Sequence, residues 1–248
     1  MRARRSVRTG LLARLSRTFL VLTAVALFGV LIASVGASQQ RPRDTSAIPA
    51  IPSIPPKTAF VPTPTPLPLS IALVAGHWGN DTGATCPDGT REVDVTLDVA
   101  RRAKTLLEAR GYRVEILQEY DTRLAKDRRD YAPRAFLSIH ADSCIYDVRG
   151  FKIARAANSA IPQEDDRLVR CVKAYYADAT LLPYHADTIT PNMTDYHGLQ
   201  KIAPQTPGAI IELGFLGSDG DLLKNKRELP AQGIAEGLDA FLKASQCQ

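Results

Sequence analysis

From residue 70 onward, apolar and polar positions follow two alternating patterns. Ile71–Ala75 (IALVA) is an unbroken apolar run of strand length, and it breaks into the polar loop GHWGNDTGATCPDG. A helix is predicted from about Glu92, with Val93, Leu97, Ala100 and Leu107 on one face and Gly111 at its end. Arg113–Leu117 reads as a second strand, Ala135–Ile139 as a third and Phe151–Ala154 as a fourth. Leu168, Val172, Tyr175, Ala179 and Leu182 mark a second long helix. Ala209–Leu213 (AIIEL) is a further buried strand, and Ile234, Leu238 and Phe241 mark a C-terminal helix. Strands alternating with long helices predict an α/β fold. The expectation is a three-layer αβα domain over 70–245, with a central, mostly parallel twisted sheet of about six strands covered by helices on both faces. The stretch 183–208 fits neither pattern.

The first 69 residues differ in kind. Phe19–Ala37 is a 19-residue stretch without a charge, directly after an arginine-rich start. Two readings compete over 1–38: a cleaved secretory signal, with Val35-Gly36-Ala37 before the cut, or a single membrane anchor through residues 19–37. Both leave the basic end in the cytoplasm and everything after it outside, in the cell envelope or secreted. Residues 39–69 hold nine of the 17 prolines and no glycine. Proline removes backbone donors and fixes φ, so this segment is expected to be an extended, semi-rigid tether.

Charge sharpens the picture. The chain has 31 Lys+Arg against 26 Asp+Glu, a formal charge of +5. Six arginines and no acid stand in residues 1–18, so everything after them carries −1. The basic excess belongs to the N-terminus, and nucleic acid is excluded as a partner. The four cysteines (Cys86, Cys144, Cys171, Cys247) include no CxxC pair, so two disulfides in an exported chain are expected rather than a structural zinc knot. Three pairings are open.

Chemistry in a sheet of this class sits outside the carboxyl ends of the strands. His77 lies just past the first strand, His140 at the end of the third and Glu212 near the end of AIIEL, while Glu92 opens the first helix. Two imidazoles and a carboxylate are the ligand set of hydrolytic zinc sites, and a further carboxylate can serve as base. On spacing alone, the alternative is a turn histidine, a helix-start glutamate and a hydrogen-bonded core histidine.

The chain resembles the zinc-dependent N-acetylmuramoyl-L-alanine amidases of the type 3 family. The resemblance rests on GHWGNDTGA at 76–84, REVDVTLDVA from 91, SIHAD at 138–142 and IELGF at 211–215, in that order between about 70 and 243. It implies one zinc ion held by His77, Glu92 and His140, and Glu212 as catalytic base. The implied reaction is hydrolysis of the amide joining N-acetylmuramic acid to the L-alanine of the peptidoglycan stem peptide. Because it places both histidines on one metal, the resemblance also implies a Cys86–Cys144 disulfide, with Cys171–Cys247 as the second. Trp78 stands where the family has glycine, Asp142 where it has asparagine, and KDRRDYAPRAF lacks the family's asparagine-containing stretch. These departures touch the rim of the cleft and leave the ligands and base in place.

The remaining candidates each have two readings. Trp78 either stacks on a sugar ring or roofs the local core. Arg128 and Arg129 either meet a stem-peptide carboxylate or are solvated. His197 is either a loop histidine or a contributor to stabilising the tetrahedral intermediate, and His185 is a loop histidine. Asp81 either caps its loop or supports a zinc ligand through hydrogen bonding. Glu164-Asp165-Asp166 suits a helix N-terminus. The function expected is a monomeric zinc hydrolase of peptidoglycan, in cell-wall turnover or remodelling. The alternatives are a catalytically inactive peptidoglycan-binding or regulatory protein of the same fold, or a zinc amidase or peptidase with another substrate.

Overall fold

The computed structural model describes residues 69–125 and 129–247. The leader over 1–38, almost all of the tether over 39–69, and Arg128 lie outside the described residues. Among the described residues, no helix is long and apolar enough to cross a membrane.

Five strands form one sheet: β1 (Ser70–Ala75), β2 (Arg113–Leu117), β3 (Ala135–Asp142), β4 (Lys152–Ala154) and β5 (Gly208–Phe215), in the order β2-β1-β3-β5-β4. β1 pairs in parallel with β2 and β3, and β3 with β5; β4 closes one edge antiparallel to β5. The αβα class and the mostly parallel sheet are as expected, with five strands among the described residues instead of about six. The expected strand runs are all present. β3 continues to Asp142, so His140 lies within the strand rather than at its end.

Three long helices, α1 (Glu92–Glu108), α2 (Pro162–Thr180) and α5 (Glu228–Leu242), pack on one face of the sheet. Alternation supplies that face: Ile71, Leu73 and Ala75 of β1, Leu137 and Ile139 of β3, and Ile211 and Leu213 of β5 share one core with the helices. The buried stripe of α1 runs through Val95, Val99, Ala103 and Leu107, four residues apart, with Val93 and Leu97 at its half-buried rim. On α2 the same spacing buries Leu168, Val172 and Tyr176, while Tyr175 and Ala179 are only half-buried. Tyr176 is satisfied by donating to the Leu213 carbonyl at 2.6 Å. α5 approaches α2 closely because Gly237 has no side chain: a Cβ there would stand 2.6 Å from the Val172 Cα. Acidic residues occupy the start of α2 as expected, and buried Asp165 also accepts from the backbone N–H of Gly208, where β5 begins (2.9 Å).

The other face is covered differently. Ala72, Val74, Phe136 and Ile210 pack against Met193, Tyr196, Leu199 and Ile202. These come from the stretch that matched neither pattern. It contains a short helix, α3 (Pro191–Thr194), followed by successive turns in which Tyr196 donates to Met193, Leu199 to Tyr196 and Lys201 to Gly198. The short α4 (Gly220–Asn225) follows β5.

Both disulfides implied by the resemblance are present: Cys86–Cys144, Cα atoms 5.5 Å apart, and Cys171–Cys247, 4.8 Å apart. The first joins the loops that leave β1 and β3. The second ties the chain end to α2.

Candidate functional site

His77 occupies the turn that leaves β1, at φ 66°, a left-handed conformation uncommon outside glycine. Glu92 is the first residue of α1, where an acid also meets the positive end of the helix. Thr96, one turn on, donates to the Gly76 carbonyl at 2.8 Å and fixes that helix against the His77 turn. His140 and Glu212 are register partners on β3 and β5, so one strand spacing separates their backbones.

The carboxylate of Glu92 sits between the two imidazoles. Its Oε2 is 3.2 Å from His77 Nε2, and its Oε1 is 3.2 Å from His140 Nδ1. The backbone N–H groups of Ala84 and Ala141 donate to the same carboxylate, both at 3.1 Å. One ligating atom from each of His77, Glu92 and His140 lies within 4.8 Å of the others, and the three could hold a metal ion. Gly83 makes room for them: at φ +62°, a Cβ there would fall 2.5 Å from Glu92 Oε2 and 2.7 Å from the His77 ring. Asp81 takes the remaining nitrogen of His77, Nδ1, at 2.6 Å, and leaves Nε2 facing Glu92.

Electrostatics separate the glutamates. Burial pushes the Glu92 carboxyl up, but hydrogen bonds from His140 and His77 outweigh it and hold the group at about 2. His77 is raised to about 9 by its hydrogen bond to Glu92, against the opposing effect of burial and with help from the charges of Glu92 and Asp81. Burial lowers His140, yet Glu92 and the surrounding carboxylates carry it above its ordinary value. Glu212 goes the other way: burial pushes it to about 7, opposed by His140. Its residue is partly exposed, but Oε2 is shielded from solvent and has no hydrogen-bond partner among the described residues. A buried carboxylate with a free oxygen and a pKa near neutrality is suited to accepting and returning a proton.

The other sequence candidates are placed as follows. Trp78 is half-buried against the helix-face core, and its carbonyl accepts from the Glu119 N–H at 3.0 Å. His197 reaches the site through Glu119, with Nε2 at 2.7 Å from Oε1, and stacks on Tyr120 at 4.5 Å. His185 lies edge-on to Phe215, ring centroids 6.4 Å apart. Arg129 is exposed. Asp142 is paired with buried Lys152 of β4, the register partner of Glu212 on its other side. A cavity of about 450 Å³ lies at the opposite end of β3 and β5, by Pro133, Arg134 and Pro207, away from the histidines.

Two residues of the site were missed from sequence. Lys152 is one. The other is Glu119, which is 5% exposed and accepts from the His77 backbone, from Tyr196 and from His197. Burial pushes this carboxyl up, but the bond from His197 and the nearby His140 hold it at about 2. The signal was available, since Glu119 follows the carboxyl end of β2 just as His77 follows that of β1.

The model of the N-acetylmuramoyl-L-alanine amidase family matches residues 71–240. The N-acetylmuramoyl-L-alanine amidase AmiC of Escherichia coli is 40% identical over 220 residues, covering 71% of this chain and 52% of that protein. A Staphylococcus saprophyticus protein named as a probable cell wall amidase, LytH, is 29% identical over 180 residues, covering 69% of this chain and 58% of its own length. The chain thus spans a little over half the length of these relatives. Among solved structures, the N-acetylmuramyl-L-alanine amidase Ami1 of Mycobacterium smegmatis superposes with a TM-score of 0.61 at 22% identity, over 73% of this chain and all of that one, and shares the fold. With the family model spanning β1 to the last turns of α5, the chain belongs to the N-acetylmuramoyl-L-alanine amidase family.

Proposed function

We propose that this protein is a zinc-dependent amidase that cleaves the bond between N-acetylmuramic acid and the L-alanine of the peptidoglycan stem peptide, outside the cytoplasm. The observation that carries this reading is the convergence of His77, Glu92 and His140 beside a Glu212 oxygen that has no hydrogen-bond partner among the described residues. The family match and the cell-wall relatives support the substrate class. The donor set fits zinc, which accepts two imidazoles and a carboxylate and keeps a position open. His77 Nε2, Glu92 and His140 Nδ1 would hold the ion.

Bound zinc lowers the pKa of a water and polarises a carbonyl. Glu212 takes a proton from the attacking water as its oxygen bonds to the scissile carbonyl carbon. The same carboxyl then returns the proton to the alanine nitrogen as the carbon–nitrogen bond breaks. Asp81 keeps the outer nitrogen of His77 occupied. Trp78, Arg128 and His197 are the candidates for contacts with glycan or stem. In the full chain, residues 1–38 export the domain or anchor it, and 39–69 hold it away from the membrane.

Digestion of purified peptidoglycan, with and without a chelator, tests the proposal. Intact stem peptides beginning with L-alanine, released only without the chelator, are the expected products. Cleavage within the stem, or activity that survives zinc removal, would overturn it.

A further inference from the structure

The two oxygens of Glu119 face different ways. Oε1 accepts from the Tyr196 hydroxyl at 2.8 Å and His197 Nε2 at 2.7 Å, both in the layer of short turns. Oε2 accepts from the His77 backbone N–H at 2.8 Å and lies 3.5 Å from Nε2 of His140. His140 Nε2 is buried and makes no hydrogen bond among the described residues. One oxygen therefore addresses the wall of the site, and the other addresses the backbone of His77 and the ring of His140.

We propose that Glu119 is a positioning residue for the metal site: through Oε2 it fixes the His77 turn and the His140 ring, and through Oε1 it ties both to Tyr196 and His197. This rests on His77, Glu92 and His140 being the metal ligands. An imidazole whose one nitrogen gives its proton to a carboxylate presents a lone pair from the other. For His140 that leaves Nδ1 facing Glu92, and Glu119 is the carboxylate beside Nε2. For His77 the ring is held by Asp81, four residues on, but the backbone is in a left-handed conformation and its N–H is held from outside the turn by Glu119. The two restraints come from different elements, one local and one arriving from the end of β2. The competing account is that Glu119 only satisfies Tyr196 and His197 within their layer. The accounts separate by which oxygen matters.

The test uses the full chain in mild detergent, with Co²⁺ as the probe. Wild type should bind one Co²⁺ with a visible spectrum that His77→Ala abolishes; failure here removes the ligand assignment itself and not merely the role of Glu119. Given that binding, Glu119→Gln should weaken Co²⁺ by about 10–100-fold and alter the spectrum. Tyr196→Phe, which loses only an Oε1 bond, should stay within a factor of a few of wild type. A Glu119→Gln protein that melts earlier but binds Co²⁺ with wild-type affinity and spectrum overturns the proposal, as does a Tyr196→Phe protein weakened as much as Glu119→Gln. If Glu119→Gln does not fold, nitrogen NMR of histidine-labelled, zinc-loaded wild type decides. His140 protonated at Nε2 is the expected result, and zinc on Nε2 overturns the proposal.

Discussion

On one face of the sheet, α1, α2 and α5 bury long apolar stripes against β1, β3 and β5; on the other, one short helix and a run of single turns bury four side chains against the same strands. His140 and Glu212 point to the second face, since they alternate with Ile139 and Ile211, which belong to the helix core. Tyr196, His197 and Glu119 stand on that side too, through Glu119's bonds to both. The helix face holds most of the apolar contact and contributes Glu92 from the start of α1, while His140, Glu212 and Glu119 lie towards the turn face. The apolar bulk is thereby concentrated on one side of the strands and most of the reacting groups on the other, with the start of α1 joining the two.

The largest effect is expected from Glu212→Gln. It removes the proton acceptor while preserving shape, so turnover on peptidoglycan should fall by ~10²–10⁴-fold with zinc still bound. Metal analysis of the purified variant checks the second half. An active Glu212→Gln protein would remove Glu212 from its role.

On the helix face, Leu168→Ala should cost roughly 2–5 kcal/mol, because the leucine is fully buried between α2 and the sheet. Denaturant unfolding gives the loss, and activity per folded molecule should not change. A fall in turnover matching the fall in stability would show the two faces to be coupled.

Replacing Cys171 and Cys247 together with alanine opens a bridge that closes 76 residues of chain. The expected loss is roughly 2–4 kcal/mol, again without loss of metal or activity. The same replacement at Cys86 and Cys144 should reduce metal affinity as well, since that bridge joins the loops beside His77 and His140. Equal effects of the two bridges on metal binding would blur the comparison.

The smallest effect concerns pH. His77 in the metal-free protein keeps its proton up to about 9, chiefly through its hydrogen bond to Glu92. A metal needs the lone pair on that ring, so binding must expel the proton. Just below that value, affinity should therefore fall by about tenfold per pH unit with about one proton released per ion, and more steeply at lower pH, where His140 must give up a proton as well. Calorimetry in two buffers of different ionisation enthalpy measures that proton. Affinity independent of pH would mean that His77 is not protonated in the free site.

Much of this was readable from residues 70–245. The strand runs and the three long helices were found because strict periodicity reports burial against one continuous surface. Helix faces were read one position off at Tyr175, because Tyr175 and Tyr176 are both aromatic and only packing shows which one reaches Leu213. The layer of turns was illegible for a physical reason. Met193, Tyr196, Leu199 and Ile202 recur every three residues, through single turns with Gly198 among them, which is neither a strand nor an α-helix period. Glu119 was missed because a lone glutamate within Gln118-Glu119-Tyr120 carries no motif. Its burial exists only once Tyr196 and His197 arrive from 77 and 78 residues away.

By itself, the sequence determined which residue types the site has to work with and in what order: a histidine after the first strand, a glutamate opening the first helix, then SIHAD and IELGF. Local patterning suffices for that, because strand ends and helix starts are set within a few residues. Tertiary structure decided what those groups became. Glu92 and Glu119 are held ionised by histidines from other elements, while Glu212 is pushed towards neutrality with one oxygen free. Three glutamates of one chemistry acquire two kinds of behaviour because burial and hydrogen-bond partners, not residue identity, set the balance between charged and neutral forms.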